Sequence, residues 1–140
     1  MRLLIDSNIL LDVLQVRQPH YMESYAVWKI CEKGLAEGYI SSLSFANIVY
    51  TMRKQLRYDE IDVLLWNVEN AFYFADLTLS EFEAAAGMKW RDFEDAVQSS
   101  TASRINADYI ITRNTKDFQD SPIKTVTPEE YFTNIFDPEQ

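Results

Sequence analysis

Short apolar runs alternate with longer amphipathic stretches along the chain. Arg2-Leu3-Leu4-Ile5 has the length and character of a buried strand. Asp6-Ser7-Asn8 interrupts it, and Ile9, Leu10, Leu11, Val13 and Leu14 then predict a short helix. Pro19 opens a predicted helix reaching about Glu37, with Tyr25, Trp28, Ile30, Cys31 and Leu35 among its apolar positions. Gly34 falls inside that helix, and Gly38 reads as its C-cap. Tyr39-Ile40-Ser41 is a brief strand, after which Ser44 caps a helix carrying Phe45, Ile48, Val49 and Met52, with Asn47 in its first turn. Ile61, Leu64, Leu65 and Val68 mark one face of a helix from about Asp59 to Asn70. Phe72-Tyr73-Phe74-Ala75 is a third strand, and Thr78 or Ser80 caps a helix from Glu81 to Lys89. Asp92 caps the next helix, whose face is Phe93, Ala96, Val97 and Ser100 and which ends at Asn106-Ala107. Tyr109-Ile110-Ile111-Thr112 is a short buried strand, followed by the polar loop Arg113–Asp117, a last strand Ile123–Val126 and a helix from Pro128 to Phe136.

This alternation predicts an α/β fold: a parallel sheet of about five strands, starting near Arg2, Tyr39, Phe72, Tyr109 and Lys124, with helices on both faces. A length of 140 residues suits one domain over residues 1–140. The 47% hydrophobic and 14% aromatic content supplies a core, and Trp28, Trp66 and Trp90 are assigned to core or interface on the area they bury. A lone Cys31 excludes a disulfide framework and a multi-cysteine zinc site, and a lone His20 excludes a His-rich one. With 3 glycines there is no phosphate-cradling loop. No apolar run is long enough for a membrane span and no signal peptide precedes the first strand, so a cytoplasmic protein without a membrane partner is expected.

The net charge of −9 speaks against a nucleic-acid partner only weakly. Local patches outweigh the total beyond a Debye length of about 8 Å. Carboxylates gathered for a metal also inflate the negative count without repelling a substrate once the metal is bound. The acids that matter stand at element ends. Asp6 closes the first strand, Asp95 lies in the first turn of the Phe93 helix, and Asp117 follows the Tyr109 strand. In open parallel sheets ligands bind at the C-terminal edge of the strands. Each acid has a plainer reading. Asp6 and Asp92 are good helix caps, and Glu94 and Asp95 complement a helix dipole. Asp12, a turn further into its helix, is expected in solvent.

Taken together, the three events are an apolar strand ending in Asp6 with Asn8 two residues on, a helix opening Asp92-Phe93-Glu94-Asp95-Ala96, and a strand ending Thr112-Arg113-Asn114 before Asp117. In this order on an alternating chain they resemble the PIN-domain nucleases, especially the small VapC-type toxins of toxin–antitoxin pairs. The resemblance covers nearly the whole chain. It implies a three-layer α/β/α sandwich, Mg²⁺- or Mn²⁺-dependent cleavage of RNA, a cognate antitoxin and a homodimer. Asp6, Asp95 and Asp117 match the family's first, third and fourth acids, as catalytic residues and metal ligands. Asn8 and Thr112 match polar positions that support the metal or its waters, with Asn47, Asp92 and Asn114 alongside. A hard cation of this kind takes oxygen donors, keeps several waters and acidifies one of them for attack on a phosphodiester.

The chain departs from the family at one acid. The usual glutamate near the start of the helix after the second strand reads Asn47, and no Asp or Glu occurs between Gly38 and Asp59. An amide offers an oxygen but no charge. A catalytically degenerate PIN domain that binds RNA or protein without cutting is therefore the alternative function. A receiver-like phosphoacceptor domain fits less well, because Asp6 stands without an adjacent acid and Asp95 lies at a helix start. Arg53, Lys54 and Arg57, with Arg113 and Lys116 beside the crevice, are the cations expected to grip RNA; as solvated charges they need no such role.

Overall fold

Strand β1 (Arg2–Ile5) lies in the middle of the sheet, and its alternating side chains decide which helices pack on which face. The computed structural model describes residues 1–139. In chain order the elements after β1 are α1 (Ser7–Leu14), α2 (Tyr21–Glu32), β2 (Glu37–Ser41), α3 (Ser42–Thr51), α4 (Ile61–Glu69), β3 (Tyr73–Ala75), α5 (Leu79–Met88), α6 (Phe93–Arg104), β4 (Tyr109–Ile111), β5 (Thr125–Val126) and α7 (Pro128–Asn134). All strand pairs are parallel, in the order β3-β2-β1-β4-β5. Leu4 sits between Tyr39 of β2 and Ile110 of β4, and Ile5 pairs with Ile111.

Successive strand residues face opposite sides of a sheet. Leu3 and Ile5 accordingly join a core with Ile9 and Leu10 of α1, Val27 and Trp28 of α2, Ile48 of α3, Leu64 and Val68 of α4, and Tyr131 of α7. Leu4 and Ile110 point the other way, into a cluster with Ala102 of α6 and Phe118. Ala85 of α5 packs there against Ala96 and Val97 of α6. The result is the α/β/α sandwich expected from the alternation, with the five-stranded parallel sheet at its centre. No helix among the described residues is long and apolar enough to cross a membrane.

Several predicted boundaries move, each for a physical reason. Helix α2 stops at Glu32 rather than near Glu37, because Gly34 adopts φ +75 and turns the chain out of the helix. Gly38 is not a cap but part of β2. A Cβ there would meet Cys31 Sγ at 2.5 Å and Phe72 Cδ1 at 2.9 Å, so only glycine lets α2 close onto the sheet. Helix α3 is capped by Ser41, whose Oγ accepts the Ser44 N–H at 3.2 Å, which puts Ser44 in the first turn and Asn47 in the second. Thr78 caps α5 in a capping box with Glu81, and the buried Glu81 is ion-paired to Arg104. Trp28 lies in the core as expected, edge-on to Phe72, whereas Trp66 is 60% exposed.

Candidate active site

The strand order reverses at β1: β2 and β3 extend the sheet on one side, β4 and β5 on the other. The crevice beyond the C-terminal ends of β1 and β4 is thus a topological switch point, where open α/β sheets bind ligands. Asp6 follows β1 directly and Thr112 follows β4, and the register brings them side by side. The Asp6 N–H donates to the Ile111 carbonyl at 3.0 Å, and Thr112 Oγ1 donates to Asp6 Oδ2 at 2.8 Å. Asp6 Oδ1 accepts the Ser7 N–H at 2.8 Å, so Asp6 caps α1 and faces the crevice at once. Burial pushes its pKa upward, the hydrogen bonds from Thr112, Ser7 and Gln98 pull it back, and the Glu94 charge adds to the rise.

Gln98 is a member of this site that the sequence reading passed over. Its side chain is 3% exposed, and its Nε2 lies 3.0 Å from Ser44 Oγ and 3.5 Å from Asp6 Oδ1. Ser44 Oγ in turn meets Ser41 Oγ at 3.2 Å, so one polar chain ties the end of β1 to α6 and to the serine-rich entry of α3. The signal was available: Gln98 is three residues after Asp95 and so shares its helix face.

Asp92 caps α6 by accepting the Asp95 N–H at 3.2 Å, which fixes Asp95 in the first turn. The half-buried Asp95 carboxyl is raised to about 7, by burial first and then by the charges of Asp92, Asp6, Asp117 and Glu94. Four carboxylates from three parts of the chain therefore converge on Asp95. Asp117 stands exposed in a 3₁₀ turn over Thr115–Phe118, pinned by the buried Phe118 and by the bond from its own N–H to the Asn114 carbonyl at 3.0 Å. The Asn114 N–H is held by Thr112 Oγ1 at 3.1 Å. Asn47 reaches the site from α3, where its Nδ2 donates to Glu94 Oε1 at 2.6 Å.

Among the described residues no group of three or more His, Cys, Asp and Glu side chains forms a ready-made cation cage. The donor chemistry nonetheless fits a hydrated divalent ion. The donors are hard oxygens, and such an ion keeps waters that fill the remaining positions. Two buried oxygens without partners, Asn8 Oδ1 and Gln98 Oε1, are acceptors, and metal-bound waters are donors. Asp6, Asp95 and Asp117 are the residues that would hold the ion.

The cations are distributed differently from the expectation. Asp12 is fully buried rather than solvated: Arg113 Nε and Nη2 grip it at 2.8 and 3.0 Å, and Ser24 Oγ donates to it at 2.8 Å. Arg113, expected to face RNA, is therefore directed inward, because the buried carboxylate requires its charge. Arg53 stacks on Tyr50 with its guanidinium 4.1 Å from the ring centre, and Arg57 pairs with Asp59 and Glu60. Both lie with Lys54 past the end of α3 remote from Ser44. Lys116 lines a cleft of about 1420 Å³ together with Lys89, Arg91, Trp90, Asp117 and Glu94. The cleft borders the acids; Asp6 and Asp95 lie outside its lining. Lys89 and Arg91 precede the Asp92 cap within three residues, a local signal that the sequence offered, and the packing of the Thr115–Phe118 turn on α6 brings Lys116 to the same cleft.

A family model described as PIN domain matches residues 2–116. No curated protein matches the sequence. Solved structures share the fold. The toxin–antitoxin complex from Klebsiella pneumoniae aligns at 23% identity and TM-score 0.68, covering 89% of this chain and 96% of that one. VapBC2 from Rickettsia felis, bound to a DNA fragment from its promoter, aligns at 18% identity and TM-score 0.68, covering 91% and 98%. VapBC-1 from nontypeable Haemophilus influenzae aligns at 14% identity and TM-score 0.67, covering 92% and 99%.

Proposed function

The chain belongs to the PIN-domain family, and from that premise we propose that it is a metal-dependent endoribonuclease, a hydrolase of RNA phosphodiester bonds and the toxin of a toxin–antitoxin pair. The observation that carries this reading is the convergence of Asp6, Asp92, Asp117 and Glu94 on Asp95 at the switch point of the sheet. Burial first, and then the charges of Asp92, Asp6, Asp117 and Glu94, raise the Asp95 carboxyl to about 7, and a cation among these groups would favour their ionised forms. A bound Mg²⁺ or Mn²⁺ would supply that charge and an acidified water. Asp6, Asp95 and Asp117 would hold the ion. Ser7 and Thr112 fix the two oxygens of Asp6, and Asn8 and Gln98 offer acceptors to the waters around it.

The RNA backbone runs past Lys89, Arg91 and Lys116, whose charges line the cleft beside the acids. Arg53, Lys54 and Arg57, past the end of α3, would extend the grip to a longer stretch of RNA. The partner protein is an antitoxin, by analogy with the toxin–antitoxin complexes that share the fold. A hollow of about 510 Å³ lined by Val13, Leu14, Trp28 and Trp66 offers it an apolar surface. A homodimer and a cytoplasmic setting complete the reading, both by analogy with the family.

One observation favours a second reading, a domain that binds RNA or protein without cutting: α3 contributes an amide, Asn47, where an acid is usual. Incubating the purified protein with a mixed RNA pool in Mg²⁺, Mn²⁺ or EDTA separates the two. Specific cutting that stops in EDTA, and that falls roughly a hundredfold or more in Asp95→Asn, is the expected result. Retention of RNA with no cutting under either cation would leave the binding module as the function.

A further inference from the structure

Helices α3 and α6 pack on opposite faces of the sheet, yet two of their side chains meet beyond its edge. Asn47 Nδ2 donates to Glu94 Oε1 at 2.6 Å. Glu94 is exposed and adjacent to Asp95, and its charge is felt at both Asp95 and Asp6. A surface glutamate is free to swing from such neighbours into solvent, where like charges are screened. Here an amide from the opposite layer holds it against them. The hydrogen bond offsets the repulsion that Glu94 meets from the neighbouring acids, and a cation among them would remove that repulsion.

The buried amide beside it gives an independent sign. The Gln98 head is fixed by Ser44 and Asp6, and only the orientation with Nε2 toward the Asp6 carboxylate is attractive, since an ionised carboxylate accepts and never donates. That leaves Gln98 Oε1 buried and without a donor at the same cluster. An unmet buried acceptor costs free energy, and the water of a hydrated cation relieves it. Helix α3 brings no acid of its own, since none occurs from Tyr39 to Tyr58.

We propose that Glu94 is the fourth carboxylate of the cation site, with Asn47 as the positioning residue that holds it there, the pair standing in for the acid that α3 lacks. The inference rests on the metal-dependent reading above. It extends the site to a residue one place before Asp95, on the side facing the cleft that Glu94 also lines. It also explains how an amide can stand on α3 without leaving the site one charge short.

The test is calorimetric titration of Mn²⁺ into the whole protein without RNA, so that no turnover is needed. Glu94→Gln should weaken Mn²⁺ binding roughly ten- to a hundredfold, and Asn47→Ala roughly three- to tenfold, near the range seen when groups around a metal are removed. Combining Asn47→Glu with Glu94→Gln exchanges acid and amide across the same contact and should restore affinity to within a few-fold of wild type, roughly the scatter of such substitutions. Asn47→Glu alone places two carboxylates at that contact and should gain less than the double variant recovers. Asp95→Asn is the reference. If it abolishes binding while Glu94→Gln binds as wild type does, the Glu94 assignment is wrong and the metal reading stands. If the wild type binds no Mn²⁺, or Asp95→Asn leaves binding intact, the metal reading fails and takes this inference with it. Should Glu94→Gln fail to fold, wild-type affinity in a folded Asn47→Ala, which removes the hold on Glu94 and leaves its charge, overturns the proposal equally.

Discussion

Arg113→Ala is expected to destabilise the protein by about 3–5 kcal/mol, the cost of leaving one member of a buried ion pair without its partner. Asp12 is fully buried in α1, and its two oxygens accept from Arg113 at 2.8 and 3.0 Å. Ser24 Oγ of α2 is its other partner. With the guanidinium gone, one hydroxyl remains to a carboxylate that water does not reach. Lysine does not repair the loss, because it presents a single point charge where two parallel N–H bonds are needed. Replacing both members, as Asp12→Leu with Arg113→Met, should cost much less than Arg113→Ala, since the penalty lies in the orphaned charge rather than in the absence of a pair. The pair also matters to the site by position: Arg113 directly follows Thr112, the residue that holds Asp6. Urea unfolding of the three variants measures these costs. A loss below about 1 kcal/mol in Arg113→Ala, the range of exposed pairs, would mean that Asp12 is hydrated in solution.

The second large effect has the opposite sign. Asp95→Asn should stabilise the metal-free protein above neutral pH. The folded pKa of Asp95 is raised from 3.8 to about 7, so the folded state holds a proton that the unfolded chain has already released. Stability from this group is full below about 3.8 and is lost as pH rises toward 7. Such a shift corresponds to roughly 4 kcal/mol, and solvent screening at this half-buried carboxyl reduces it to about 1–2 kcal/mol. Asparagine removes the charge at nearly the same shape. In EDTA, the melting temperature of Asp95→Asn should exceed that of wild type by on the order of 5 °C at pH 8, and the difference should close as pH falls toward 4. Adding Mg²⁺ at pH 8 should raise the wild type and leave the variant unmoved. A pH-independent difference between the two proteins would show that Asp95 does not carry the repulsion described here.

The parts of this molecule that are legible in its sequence are those decided by near neighbours. The strands around Leu3-Leu4-Ile5 and Tyr109-Ile110-Ile111 announce themselves as short apolar runs, and Asp6 and Thr112 follow because they end those runs. The Asp92 cap and Asp95 are equally local. What could not be read depends on residues far along the chain. Gly38 looks like a helix cap until Cys31 and Phe72 are seen closing on its Cα. Asp12 looks solvated because its partner Arg113 is 101 positions away. The serine-rich entry to α3 holds Ser41, Ser42 and Ser44, each a good cap, and only the backbone direction chooses Ser41. Asn47 reads as a missing charge until the packing of α6 brings Glu94 to within 2.6 Å of it.

The proposed function requires that the acids after β1, in the turn beyond β4 and at the start of α6 gather a divalent cation. Diffraction from crystals soaked in Mn²⁺, recorded for anomalous scattering, locates that ion directly. One strong peak is expected within bonding distance of carboxylate oxygens of Asp6, Asp95 and Asp117, about 2.0–2.2 Å for a hard cation of this size, and no such peak in Asp95→Asn crystals treated the same way. Saturating Mn²⁺ with no peak at those acids, or a peak held only by other residues, would contradict it.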